Sequence, residues 1–185
     1  MSDPTKLSKL LSFVLRHEPH TYGVALDSEG WVNVSELLAA FAEHGVPLDL
    51  ATLRAIVSSD DKQRYAFSDD ERSIRAQQGH SVSVALGYTE AAPPERLFHG
   101  TVARFLSRIA TQGLLRGERQ HVHLSASREA ALSVGARRGR PIVLEVRALA
   151  LSATGASFFR TPNGVWLTEH VPPAYLVIPT SATEA

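Results

Sequence analysis

The chain has 185 residues, 44% hydrophobic and 21% charged, with no cysteine and a formal net charge of zero. Such a length and apolar content suit one globular domain or two small lobes, and the missing cysteine excludes disulfides, thiolate nucleophiles and cysteine-ligated zinc. No N-terminal stretch reads as a signal peptide and no apolar run reaches the length of a membrane span, so a soluble cytoplasmic protein without a membrane partner is expected.

The zero net charge averages two unlike halves. Residues 1–90 carry eight Lys/Arg against thirteen Asp/Glu, a balance of −5, while residues 91–185 carry eleven against six, a balance of +5. A plain duplex binder presents a basic stripe on its recognition domain. The first half has none, so any anion it engages must be gripped by a few local residues.

Leu7, Leu10, Leu11, Val14 and Leu15 recur at intervals of three and four, the spacing of an amphipathic helix. Asp3-Pro4 supplies an N-cap and first-turn proline, and Pro19 ends the helix by pushing Glu18 out of the α region. Arg16 and His17 then fall at the helix C-terminus, where cations are favoured by unsatisfied carbonyls. Asp27–Gly30 reads as a turn and Trp31-Val32 as a short strand. Asn33 with Glu36 starts a second helix over Val34–Phe41, closed by Gly45, and a third begins at Asp49 with Leu50, Leu53, Ile56 and Val57 on one side. Two short strands, Arg64–Ser68 and Arg72–Ala76, flank the acidic turn Asp69–Glu71. Three helices followed by a hairpin is the element order of a winged helix.

Ala91-Ala92-Pro93-Pro94 reads as a linker, which predicts lobes over residues 1–92 and 93–185. Beyond it the pattern becomes β-rich: Leu97–His99, Val122–Leu124, Ile142–Val146, Val165–Leu167 and Tyr175–Ile178. Helices are expected around Ala103–Thr111, closed by Gly113, and from Ser127 to about Arg137. Thr161–Gly164 is a turn, and Thr180–Ala185 a frayed tail.

His121-Val-His123 points two rings one way if it is a strand, but no third ligand of fixed spacing accompanies them, so no metal site is expected. His99-Gly100-Thr101 reads either as an ordinary strand-to-helix turn with Thr101 as N-cap, or as a place where a ligand approaches glycine backbone closely. Arg137–Arg140 reads as a solvated basic loop. A Rossmann-type glycine fingerprint is missing, which argues against a dehydrogenase.

The segments LSKLLSFVLRHEP, LDSEGWVNVSELL, DDKQRYAF, QGHSV, FHGT, RQHVHLS and NGVWLT, in that order from about Leu7 to Ile178, resemble the NAD-dependent RNA 2′-phosphotransferases, the family of the tRNA-splicing 2′-phosphotransferase. The resemblance implies an α+β fold: an N-terminal winged-helix RNA lobe followed by a C-terminal ADP-ribosyltransferase-like, β-rich NAD lobe. It implies NAD⁺ as a co-substrate, no metal, and an RNA partner carrying an internal 2′-phosphate. In that reaction the phosphate attacks the ribose C1″ and expels nicotinamide. The ribose 2″-hydroxyl then attacks phosphorus, freeing the RNA 2′-OH and ADP-ribose 1″,2″-cyclic phosphate.

Carried over residue by residue, the family's functional quartet falls on Arg16, His17, Arg64 and Arg119, which the resemblance implies converge on one branched phosphate beside a nicotinamide riboside. Guanidinium suits a phosphomonoester because it pairs in a bidentate fork. His99, Gly100 and Thr101 resemble the NAD-gripping element of ADP-ribosyltransferases, and His123 falls where many of them keep a tyrosine. Val165 falls where protein-modifying members keep a glutamate, a departure the 2′-phosphotransferases share. Gly113, Ser125 and Arg137–Arg140 are further candidates for holding the dinucleotide. Two other functions are weighed against this one: a winged-helix regulator with a degenerate ligand sensor, and an ADP-ribosyltransferase acting on a terminal phosphate or a protein side chain. No long unsatisfied apolar stripe demands a partner subunit, so a monomer is expected.

Overall fold

A computed structural model describes residues 4–179, so Asp3 and the tail Thr180–Ala185 lie outside the described residues. The chain is α+β and divides into two compact units, Met1–Gly87 and Tyr88–Ala185. None of its described helices is long and apolar enough to cross a membrane.

Unit 1 runs α1 (Pro4–Arg16), β1 (Trp31–Asn33), α2 (Val34–Glu43), α3 (Leu50–Ser58), β2 (Tyr65–Phe67) and β3 (Ser73–Ala76). The three strands form an antiparallel sheet in the order β1-β3-β2, with Trp31 opposite Arg75 and Tyr65 opposite Ala76. Local chemistry sets the helix ends. Asn33 Oδ1 accepts from the amides of Ser35 and Glu36, and Asp49 Oδ1 from that of Thr52, so two orphan donors of α2 and one of α3 are satisfied by their own N-caps. Gly45 takes φ 70, and the amides of Gly45 and Val46 donate to the Ala42 and Phe41 carbonyls, a Schellman stop that a residue with a Cβ would strain. The α1 stripe Leu7, Leu11, Val14 and Leu15 is buried with Leu37, Phe41, Leu53 and Ile74 in one core.

Unit 2 contains β4 (Leu97–Val102), α4 (Leu106–Gln112), β5 (Leu114–Leu115), β6 (Val122–Leu124), α5 (Arg128–Gly135), β7 (Pro141–Val146), α6 (Ala148–Ser152), β8 (Phe158–Arg160), β9 (Trp166–Thr168), β10 (His170–Val171) and β11 (Leu176–Val177). All pairings are antiparallel, in sheets ordered β11-β7-β4, β6-β9-β8 and β10-β5. Phe98 and Ser125 exchange backbone hydrogen bonds of 2.9 and 2.8 Å, which joins β4 to β6. Leu97, Leu124, Leu144, Val146, Phe158 and Trp166 fill the core.

Three sequence expectations change here. The strand expected to stop at His99 runs on to Val102, so Thr101 is a buried strand residue and not a helix N-cap. The glycine inside it has a packing cause: a Cβ at Gly100 would overlap the Ala131 carbonyl of α5, which lies directly on β4. The expected Tyr175–Ile178 strand is a 3₁₀ turn over Pro173–Tyr175 followed by two strand residues. The proline pair's neighbourhood is not free chain on its N-terminal side, since Glu90 bridges to Phe159 and the Ala91 amide donates to the Phe158 carbonyl at 2.8 Å.

Candidate active-site residues

In unit 1, Arg16 is the last residue of α1 and His17 follows it, its amide donating to the Phe13 carbonyl at 2.9 Å. Pro19 then opens a 3₁₀ turn, so the chain leaves the helix axis just after His17. The segment His80–Val82 caps this end: the Ser81 amide donates to the Arg16 carbonyl at 2.9 Å, and Ser81 Oγ lies 3.0 Å from His17 Nδ1. Behind it, His80 is 2% exposed, and neither ring nitrogen has a hydrogen-bond partner. Burial first, then the positive charges of Arg16, His17 and Arg75, hold its pKa down to about 4, so the ring is neutral at physiological pH.

Arg75 is stacked 4.4 Å from the centre of the Trp31 ring and donates from Nη1 to the Glu29 carbonyl at 3.3 Å, while its buried Nε has no hydrogen-bond partner. Its stacking on an indole fixes the guanidinium without neutralising it. Arg64 precedes β2, and its guanidinium pairs with the largely buried carboxylate of Asp60.

In unit 2, His99, His123 and Arg119 form a hydrogen-bonded chain. His99 Nδ1 lies 3.1 Å from the His123 carbonyl, and Arg119 Nη1 lies 3.1 Å from His123 Nδ1. A carbonyl only accepts and a guanidinium only donates, which assigns the proton of His99 to Nδ1 and leaves His123 Nδ1 as a bare acceptor. The Nε2 of His99 is therefore an acceptor too. Burial lowers the His99 pKa, the His123 carbonyl opposes this, and Arg119 and Arg138 lower it further, so a neutral ring is the stable form. The Arg119 pKa is also lowered, by partial desolvation and then by Arg138 and Arg137. It remains a cation, set among cations.

The other candidates divide. Gly100 and Thr101 continue the strand from His99, and Ser125 meets it through Phe98. Gly113 stands apart at the end of α4, where a Cβ would overlap the Val171 carbonyl, so its glycine is accounted for by packing. His121 lies between the edges of Tyr88 and Phe159 and not on the His123 chain. Among the described residues no group of three or more His, Asp or Glu is placed to hold a metal ion. Val165 follows a turn held by Thr161 and Gly164, and it brings no carboxylate there.

Sequence reasoning missed Asp60, Arg75 and His80. Asp60 carries a weak signal in its spacing of four from Arg64. His80 lies inside QGHSV, one of the segments that carry the resemblance, but nothing there singles it out, and Arg75 carries no signal; burial sets the first apart and stacking the second.

The family model described as "RNA 2'-phosphotransferase, Tpt1 / KptA family" matches residues 2–170. A protein of Agrobacterium fabrum (strain C58 / ATCC 33970) named "Probable RNA 2'-phosphotransferase" is 53% identical over 174 residues, which span 94% of this chain and 94% of its own. One of the same name from Burkholderia lata is 51% identical over 175 residues, 94% of this chain and 90% of its own. Another, from Acaryochloris marina (strain MBIC 11017), is 47% identical over 92% of this chain and 94% of its own. With a match along nearly its whole length, the chain belongs to the RNA 2'-phosphotransferase, Tpt1 / KptA family, a family of NAD-dependent enzymes.

Proposed function

We propose that the protein removes an internal 2′-phosphate from RNA by transferring it to NAD⁺, with unit 1 as a winged-helix RNA-binding lobe and unit 2 as an ADP-ribosyltransferase-like NAD-binding lobe. One observation carries the reading. Arg119 is backed by a neutral imidazole and set beside Arg137 and Arg138, with no carboxylate pairing it among the described residues. Such a group is built to receive an anion.

NAD⁺ supplies an electrophilic C1″ and a nicotinamide leaving group. His99 Nε2, an acceptor on a partly buried neutral ring, suits a ribose hydroxyl. Arg137 and Arg138 suit the pyrophosphate. In the first step a 2′-phosphate oxygen bonds to C1″ as the C1″–nicotinamide bond breaks, and the phosphate needs no general base. Arg16, His17 and Arg64 orient it there, and Val165, where a carboxylate would activate a hydroxyl acceptor, fits that economy.

In the second step the 2″-oxygen bonds to phosphorus as the bond to the RNA 2′-oxygen breaks, and the 2″ proton is balanced by one delivered to the departing 2′-oxygen. Arg64 and Arg119 stabilise the charge gathering on the phosphoryl oxygens, and His17 supplies the proton.

The test is to incubate the protein with NAD⁺ and an RNA bearing one internal 2′-phosphate. Loss of the phosphate, release of nicotinamide and appearance of the cyclic product are expected. A stable ADP-ribosylated RNA as the only product would instead indicate a transferase that stops after the first step, and duplex affinity without NAD⁺ turnover would indicate a regulator.

A further inference from the structure

Arg64 is held through its backbone and through one guanidinium nitrogen. The carboxylate of Asp60, 4% exposed, pairs through Oδ1 with Arg64 Nη1, and the same oxygen accepts from the Lys62 amide at 3.3 Å. Its Oδ2 accepts from the Arg64 amide at 2.6 Å. The Gln63 amide donates to the Asp60 carbonyl at 2.7 Å, and Gln63 takes φ 44, a left-handed conformation that costs a residue with a Cβ about 1 kcal/mol. From the other side Gln77 reaches three successive carbonyls: its amide donates to Arg64 O at 2.8 Å, and its Nε2 to Gln63 O at 2.9 Å and Tyr65 O at 3.3 Å. Strain of this kind persists only where surrounding contacts over-determine it.

The choice of guanidinium nitrogen matters. An arginine binds a phosphate bidentately through one of its edges, and the Nε–Nη2 edge remains whole when a partner takes Nη1. For Arg64 that edge makes no hydrogen bond among the described residues, and the side chain is 29% exposed.

We propose that Asp60 is a positioning residue for Arg64: by holding Nη1 it presents the Nε–Nη2 edge to the phosphoryl group, while Gln77 locks the backbone from which Arg64 rises. The proposal rests on the reading of Arg64 as a phosphate-binding residue. It explains why a carboxylate, which repels a phosphate dianion, stands beside a phosphate ligand. The cost in charge is offset by direction.

The experiment is a double-mutant cycle on the second step, measured in single turnover as decay of the phospho-ADP-ribosylated RNA. Asp60→Asn keeps the shape but places an amide NH₂ against a donor, and the step should slow about tenfold to a hundredfold, the scale of a small misplacement of a reacting group. NAD⁺ affinity should stay at the parental value. In an Arg64→Ala background the same change should add nothing, because Asp60 acts through Arg64. Parental rates for Asp60→Asn, or an equal slowing with and without Arg64, would overturn the proposal. Should Asp60→Asn fail to fold, Gln77→Ala run through the same cycle decides it by the same criteria. Failure of the parent protein to turn over phosphorylated RNA with NAD⁺ is seen before any variant is made and strikes the functional reading itself.

Discussion

Arg64 in unit 1 and Arg119 in unit 2 are given the same task on opposite terms. The first is tied to a carboxylate, the second to an imidazole nitrogen with two further arginines near. A carboxylate half-neutralises an arginine and dictates its direction. A neutral acceptor leaves the charge whole, so on the proposed reading Arg119 would draw its anion by field and Arg64 would receive it by shape. Replacing either by alanine should slow the second step by about 10²–10³-fold and let the phospho-ADP-ribosylated RNA accumulate, the scale of losing one preorganised donor. Lysine sharpens the contrast. Arg119→Lys still points an ammonium at an acceptor and should recover part of the rate, whereas Arg64→Lys must choose between Asp60 and the phosphate and should recover little. Equal recovery in the two would show that the backing groups do not matter.

A second contrast sets two glycines against each other. Gly100 has ordinary φ but no room, since a Cβ would meet the α5 backbone at Ala131. Gly30 has room, the nearest atoms to a Cβ lying 3.4 Å away, but takes φ 81. Backbone overlap is relieved only by moving α5 off β4. Gly100→Ala should therefore cost about 3 kcal/mol and lower the melting temperature by about 10 °C. Gly30→Ala should cost about 1 kcal/mol. Reversal of that order in thermal melts would mean that α5 shifts freely on its sheet.

The histidines with lowered pKa values give a pH test. His80 has a folded pKa of about 4 against 6.5 unfolded, so the unfolded chain binds the proton more readily. Stability from this group is present above pH 6.5 and is lost as pH falls toward 4, by about 2 kcal/mol between pH 7 and pH 5. His99 is lowered too and adds a slope of the same sign. Urea unfolding of His80→Gln should retain the parts due to His99 and His121, whose pKa burial also lowers, and lose the part due to His80. A parental slope in that variant would deny His80 its part in the loss.

What the sequence disclosed follows the range of the forces involved. The caps at Asn33, Asp49 and Ser127 and the stop at Gly45 are decided within four residues, and each was legible. The continuation of β4 through Gly100 was not, because α5, thirty residues on, supplies the reason for the glycine. The short strands β5, β8 and β10 are too brief for periodicity and exist by pairing alone. Arg16, His17, Arg64, Arg119, His99 and His123 were singled out as candidates through motif resemblance. Asp60 and His80 lie inside segments that carry the resemblance, yet their burial, like the stacking of Arg75 on Trp31, follows from packing that no motif records.

The smallest effects test whether the Arg64 loop is special within its own unit. Arg54 and Glu71 also form an ion pair, but their side chains are 53% and 50% exposed, so Arg54→Ala should cost less than about 0.5 kcal/mol. Glu71 and Gln63 share a left-handed backbone, at φ 54 and φ 44. Glycine relieves such strain at either position, by up to about 1 kcal/mol. Glu71→Gly, set against the weak ion pair it loses, should therefore raise stability by about 0.5 kcal/mol with no change in turnover. Gln63→Gly should raise stability too, yet slow the second step severalfold, because the residue it loosens adjoins Arg64. If Gln63→Gly instead turns over at the parental rate, the strain at Gln63 serves only the loop, as it does at Glu71.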